Sequence, residues 1–432
     1  VSIVQQAPEL PEHYFRHEFG RLVSVLSRRF GVRHVEQCED AAQAALLQAL
    51  RSWPRSGIPA DRGGWLYTVA RNHLLDDLRR AKRAEAPTPL AADRAAAEQD
   101  TSYFEREVRD DQLRLLFVCA DPDMARESQL VLAARVLCGF SIPEIALRLF
   151  QSHEAIHKRL QRARSLLRDK QVELVTPSAE QLQSRLPAVL HMLYLLFTEG
   201  YSSAQPDALI RRDLCEDAVR LALLVVEHPL GYVPETEALL ALMYLHAARF
   251  EARSDGAGGL LLLEEQDRTL WDRQLIDLGF HYAQRSARGE RFTRYHAEAA
   301  IAAEHCVAAS FATTNWPEIV RLYELLERVS PSPLNTLNKA IALAEWQGPD
   351  VGLRLLETLK PPGWLLGYYL WDATLGELNR RIGERERAVA HLTRALASAP
   401  TNAERQLLQR RLAAATATVE TGTLGNNLER ER

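Results

Sequence analysis

The chain has 432 residues, 47% of them hydrophobic and 25% charged, with a net charge of −4. That length supports two or three domains with cores of their own, and the apolar content excludes wholesale disorder. No stretch approaches the ~18–20 uncharged apolar residues of a membrane-spanning helix. Glu9, Glu12, His13 and Arg16 interrupt any leader-like apolar run, so a cytoplasmic chain with no membrane partner is expected. Cys38, Cys119, Cys138, Cys215 and Cys306 include no Cys-x-x-Cys pair, which points to reduced thiols and against a disulfide framework or zinc knuckle.

The first informative element begins at Glu39. Ala42, Leu46, Ala49, Leu50 and Trp53 recur at helical spacing and form one apolar stripe. Asp40, Gln43 and Leu47 fall on another face. That face is either a solvated ridge carrying one apolar residue or a ridge that packs on a partner helix.

A second helix follows Gly63 and Gly64. Leu66, Ala70, Leu74 and Leu78 make its core stripe, with Val69 beside them, while Asn72, Asp76, Arg79, Arg80 and Arg83 line another face. Five basic residues stand against two acidic ones between Arg71 and Arg83. Trp65 at the helix start suits an unstacked base, since a ring accepts any base face while arginines hold phosphates. A buried tryptophan beside a solvated charged face fits the same residues.

Residues 84–104 form an Ala-rich, acidic linker in which Pro87 and Pro89 break helix. The next unit, 105–172, opens with a helix carrying Leu113, Leu116 and Phe117, then one carrying Leu130, Ala133, Ala134 and Leu137. Cys138, Gly139 and Phe140 turn the chain. Ser141, Pro143 and Glu144 then form a capping box for a short helix ending near Phe150. Ser152 caps a longer helix with Ile156, Leu160, Ala163 and Leu167 inward, and six basic residues stand against Asp169 alone between His157 and Lys170. Short capped helix, turn, longer basic helix is a helix-turn-helix pattern. Such a second helix points its first residues, here His153, Glu154, His157 and Lys158, at base edges, and leaves Arg159, Arg162 and Arg164 for phosphates or a protein partner. The His153/His157 pair has no third ligand nearby, so no metal is expected.

These two blocks resemble regions 2 and 4 of bacterial sigma factors of the small extracytoplasmic-function class. The region 2 likeness runs through Glu39, Asp40, Ala41, Gln43, Leu46, Leu47, Ala49 and Leu50, then Trp65, Leu66, Val69, Ala70, Arg71, Asn72, Asp76, Leu78, Arg79 and Arg80. The region 4 likeness rests on Ser141, Glu144, Ile145, Ala146, Ser152, Ile156, Arg159, Leu160, Arg162, Ala163 and Arg164. The resemblance implies that Asp40, Gln43, Leu46 and Leu47 meet core RNA polymerase, and that Trp65, Arg71, Asn72, Arg79, Arg80 and Arg83 meet the melted −10 promoter element. Ser152, His153, His157, Lys158, Arg159, Arg162 and Arg164 would meet −35 duplex DNA. Ala44 stands where the family usually has Glu, and Asp77 where a basic residue is common.

From 180 to 418 the chain is Leu/Ala-rich and helical in period, with breaks at Pro206, Pro229, Pro234, Gly256–Gly259, Pro317, Pro331, Pro361–Pro362 and Pro400; 419–432 reads as a disordered tail. Leu375, Gly376, Gly383, Ala388, Leu392, Ala395 and Pro400 sit at tetratricopeptide-repeat offsets, with weaker copies around Leu337 to Leu359 and ending at Pro331. Phrases at 193–202, 262–272 and 299–305 also resemble sigma factors with a long helical extension. Glu264, Glu265, Asp267, His296 and His305 lack a metal-ligand spacing, nucleophile motif or phosphate loop, so no catalytic residue and no cofactor is expected.

The expected protein is all-α: a region 2 bundle over 1–83, a linker, a region 4 helix-turn-helix, and a tetratricopeptide-like regulatory domain that takes a regulatory protein or small ligand. It would bind core polymerase and promoter DNA. The alternative is a helix-turn-helix regulator with a sensing repeat domain that never engages polymerase, and a third reading is a repeat scaffold with merely solvated basic helices.

Overall fold

The computed structural model describes residues 12–85, 105–149, 151–170, 179–202, 210–228, 233–256 and 259–417. The expected linker, apart from Ala84 and Glu85, and the expected tail lie outside them, as do Pro206 and Pro229. The all-α class is what the structure has: the described residues are helical, and their one β feature is an isolated bridge between Ser254 and Leu260. Two compact units emerge, one joining 1–196 with 216–231 and one joining 197–215 with 232–432.

In the first unit, α1 (Glu12–Phe30), α2 (Val35–Ser56) and α3 (Arg62–Glu85) pack together. Leu22, Val23 and Leu26 of α1, Ala42, Ala45 and Ala49 of α2, and Leu66, Ala70 and Leu74 of α3 are fully buried. The small alanines of α2 let its neighbours approach closely. The α2 stripe departs from expectation at Leu50, which is 52% exposed. At 3.6 residues per turn, position 50 lies well round from 42, 46, 49 and 53, on the side of Gln43 and Leu47.

The same unit continues with α4 (Glu105–Cys119), α5 (Arg126–Val136), α6 (Ile142–Arg148) and α7 (His153–Asp169). Helix α5 is central, with Val131, Leu132, Ala133, Ala134 and Val136 all buried. It lies against α1, and Gly20 makes this contact possible. A Cβ at Gly20 would stand 2.0 Å from the Leu137 carbonyl oxygen. The turn after α5 needs Gly139, whose φ is 68°, in the left-handed region. Ser141 then caps α6 as the sequence indicates: its hydroxyl accepts from the Glu144 amide, and the Glu144 carboxylate accepts from the Ser141 amide at 2.8 Å. Phe150, the expected end of α6, lies outside the described residues.

Helices α8 (Ala179–Tyr201) and α9 (Arg212–Glu227) contribute residues to both units. Pro54 and Pro187 sit inside α2 and α8 without ending them. The second unit is built on α10 (Pro234–Ala247), buried on every face from Thr236 to Leu245. Around it pack α11 (Arg273–Ser286) and α12 (Arg294–Val307). Then follow α13 (Trp316–Val329), α14 (Pro333–Gln347), α15 (Pro349–Thr358), α16 (Gly363–Leu366), α17 (Tyr369–Arg381), α18 (Arg385–Ser398) and α19 (Asn402–Ala417); most pack on their neighbours in sequence, while α15 and α16 both pack on α17. In the α17–α18 pair Gly376 faces Leu392, and Ala388, Leu392 and Ala395 are fully buried. All five cysteines are buried free thiols.

Candidate polymerase-docking and nucleic-acid interface

One face of α2 stands open. Asp40 is exposed, Gln43 is half-buried, and Leu47 and Leu50 are 53% and 52% exposed. Two large apolar side chains three residues apart share this ridge. Leu46, expected beside them, is 8% exposed and belongs to the core, so it offers no docking surface. Partial desolvation by the surrounding protein raises the Asp40 carboxyl above its ordinary value, helped by Glu36, while Arg164 and Arg135 oppose the shift.

Asp61 opens α3. Its side chain accepts from the Gly64 amide at 2.8 Å, and its carbonyl from Trp65 at 3.2 Å. An Asp three residues before an amide that needs a partner is a readable cap that the sequence reasoning passed over. A Cβ at Gly64 would stand 2.1 Å from the Asp61 carboxylate and push that cap aside. Trp65 is half-buried, its ring 5.5 Å from that of Trp53, which in turn lies near Phe15. Trp65 packs on an aromatic cluster and keeps an open portion.

Further along α3, Arg71 is half-buried and donates to Asn72 at 3.3 Å. Arg79 pairs with Asp76 at 3.5 Å and Arg80 with Asp77 at 2.5 Å, all on the surface. Exposed pairs of this kind contribute roughly 0–1 kcal/mol, so either arginine exchanges its partner for a phosphate at little cost. The side chain of Arg83 lies outside the described residues.

On α7 the Ser152 hydroxyl accepts from the Ala155 amide at 3.2 Å and caps the helix. His153, His157, Lys158 and Arg162 are exposed; Lys158 pairs with Glu154 at 2.6 Å. Arg159 is half-buried and donates to Gln151 at 2.8 Å.

Arg164 corrects the sequence reading. It donates to Glu36 and Glu39 of α2, both at 2.8 Å, and is 11% exposed. Glu39 is fully buried and also accepts from Arg135 at 2.7 Å. A guanidinium spent on two carboxylates is not a DNA contact in this arrangement; it joins α7 to α2. Burial raises the Glu39 carboxyl, and Arg164 and Arg135 pull it back. Nothing in a single helix pattern marks these partners, because Glu39 and Arg164 are 125 residues apart.

Other contacts join the same two groups of helices. Arg28 of α1 pairs with Asp111 of α4 at 2.8 Å, and Arg16 of α1 with Glu144 of α6 at 3.3 Å. Arg16 also lies over the Phe140 ring and Arg135 over Phe19. Among the described residues no cluster of His, Cys, Asp or Glu would hold a metal ion.

The first unit thus carries an open apolar and acidic ridge on α2 and exposed arginines on α3. Residues 15–84 match the family described as Sigma-70 region 2, and residues 185–287 match a family of unknown function, DUF6596. An uncharacterized protein of Rhizobium meliloti (strain 1021) is 36% identical over 384 residues, covering 88% of this chain and 90% of its own length. No solved structure matches. The chain belongs to one family with the rhizobial protein, and its region 2 match supports a sigma-70 family factor, of the kind involved in promoter recognition and transcription initiation with core RNA polymerase.

Proposed function

We propose that the chain is an initiation factor of the extracytoplasmic-function type, acting in the cytoplasm, whose helical extension controls it. The observation that carries this is the exposed Leu47–Leu50 pair on α2 beside a sigma-70 region 2 match. Exposed leucines flanked by Asp40 and Gln43 suit a helix of a large partner. In this reading Asp40, Gln43, Leu47 and Leu50 dock on core polymerase. Trp65, Arg71, Asn72, Arg79, Arg80 and Arg83 hold the melted −10 strand.

Helices α6 and α7 act as the helix-turn-helix. His153, His157 and Lys158 approach base edges of the −35 element, and Ser152, Arg159 and Arg162 hold its backbone. The helix pairs from α12 to α19 serve as a tetratricopeptide-like surface for a regulatory protein or small ligand. Trp346, Trp364 and Leu366, each about half exposed, supply apolar area for such a contact.

The test adds purified chain to core polymerase lacking any sigma, with the chain's own upstream region as template. A promoter-specific transcript that disappears in the Arg79→Ala/Arg80→Ala variant is expected. DNA binding without any transcript from any genomic fragment would sink this reading in favour of a helix-turn-helix regulator.

A further inference from the structure

One side-chain cluster in the second unit has a specific geometry. Three arginines gather around two aromatic rings. Arg249 and Arg268 lie over Trp271, with guanidinium carbons 5.1 and 4.7 Å from a ring centroid. Arg253 lies 3.8 Å from the Tyr201 centroid and donates to the Tyr201 carbonyl.

Their other bonds go to neutral acceptors. Arg249 donates to the Gln266 amide oxygen at 3.2 and 3.3 Å, and Arg268 to the carbonyls of His305 and Ala308. The acids nearby in sequence are committed elsewhere. Asp267 accepts from the Thr269 amide and Asp272 from those of Gln274 and Leu275. Asp255 accepts from Gly259, Glu265 from Leu262, and Glu251 pairs with Arg212. Among the described residues no carboxylate lies within ion-pair distance of Arg249, Arg253 or Arg268.

Like charges gathered in a half-buried place raise one another's energy, and buried cations normally find a carboxylate. Here desolvation and neighbouring arginines hold His246 and His305 down to about 3, so both rings are neutral near pH 7. Four buried polar atoms at the same place have no hydrogen-bond partner: Trp271 Nε1, Arg268 Nη2, His246 Nδ1 and His305 Nδ1. Trp271 is only 3% exposed, so its indole N–H cannot turn to bulk water. Arg249, Arg268 and His246 keep part of their surface open, which leaves a route in.

We propose that Arg249, Arg253, Arg268 and the Trp271 indole N–H form a binding site for the oxyanion group of a small ligand, a phosphate or a carboxylate. Guanidinium faces are covered by the rings and some of their N–H groups are spent on neutral acceptors, which leaves Arg268 Nη2 and the Trp271 indole N–H as unspent buried donors for an oxyanion. The anion supplies the missing charge and accepts from the orphan donors. The site deepens the proposed sensing role of the extension, but its occupancy is independent of transcription and is read separately from it.

The test titrates the full chain with inorganic phosphate, and separately with citrate, at ionic strength held constant with sodium chloride. Calorimetric heat and thermal midpoint are recorded. Saturable binding of one anion with a raised midpoint is expected, and the anion that saturates identifies the group. Arg249→Gln is expected to weaken it by about tenfold or more, while Arg212→Gln on the surface leaves it unchanged. Should Arg249→Gln fail to fold, Trp271→Phe keeps a ring, removes the indole donor, and is expected to weaken binding by about fivefold. No saturation beyond chloride, or unchanged affinity in both folded variants, overturns the proposal. Binding retained in a chain inactive in transcription supports the site while refuting the initiation reading.

Discussion

Arg164 reaches 125 residues back along the chain to place one terminal nitrogen 2.8 Å from the buried Glu39 carboxylate, and the other equally close to Glu36. The basic helix expected to face DNA is therefore tied to α2 by one of its own arginines.

Arg162 and Arg164 separate as a consequence. If α7 grips −35 duplex, Arg162→Ala flattens the salt slope of binding by about one phosphate equivalent. Arg164→Ala leaves the slope unchanged and lowers stability by about 1–3 kcal/mol, since Glu39 stays buried with Arg135 as its remaining arginine. Equal salt slopes for the two variants would place Arg162 away from DNA as well.

Leu47→Glu tests the ridge. At 53% exposure the leucine contributes little to the core, so the urea midpoint should move by no more than about 0.5 kcal/mol equivalent. Affinity for core polymerase, measured by co-sedimentation or interferometry, should drop by about tenfold or more. Undiminished affinity would remove Leu47 from the interface.

Gly20→Val tests the contact between α1 and α5. The first added carbon meets the Leu137 carbonyl oxygen at 2.0 Å, and backbone has no rotamer with which to yield. A loss of about 1–3 kcal/mol is expected by chemical unfolding, with faster amide exchange in α1 and α5. Wild-type stability would show that these helices are not held together as described.

The second unit carries an acid-sensitive pair. Burial lowers His246 and His305 from the ordinary 6.5 to about 3. Above 6.5 both are neutral folded or unfolded, and their neutral burial costs nothing in protonation. As pH falls from 6.5 toward 3, the unfolded chain binds protons that the folded one does not, and stability is lost. The loss is up to about 1.4 kcal/mol per histidine per pH unit. Thermal midpoints measured from pH 7.5 to 4 should fall less steeply in His246→Gln; identical slopes would mean that His246 is protonated where it sits.

Local patterns were legible and held. The Ser141–Glu144 cap, the inward row Ile156, Leu160, Ala163 and Leu167, and the buried alanines of α2 are consequences of neighbours within a turn or two. The region 2 likeness was legible for the same reason, because an apolar stripe and a basic face are written on single helices. Leu46 and Leu50 show the limit of such reading: both are apolar on one helix, yet the surrounding helices cover the first and leave the second bare.

By itself, then, the sequence determined the helices, their caps and the sigma-70 character of the chain, since these depend on spacing along a few turns. Tertiary structure decided which charges are free to act. Arg164 and Arg162 are two residues apart and chemically identical, but the carboxylates of α2 meet only one of them. Likewise Arg249, Arg253 and Arg268 carry no mark in sequence that their partners are neutral acceptors and not carboxylates. A charge's availability depends on what the fold brings within ion-pair reach, and that is a property of three dimensions.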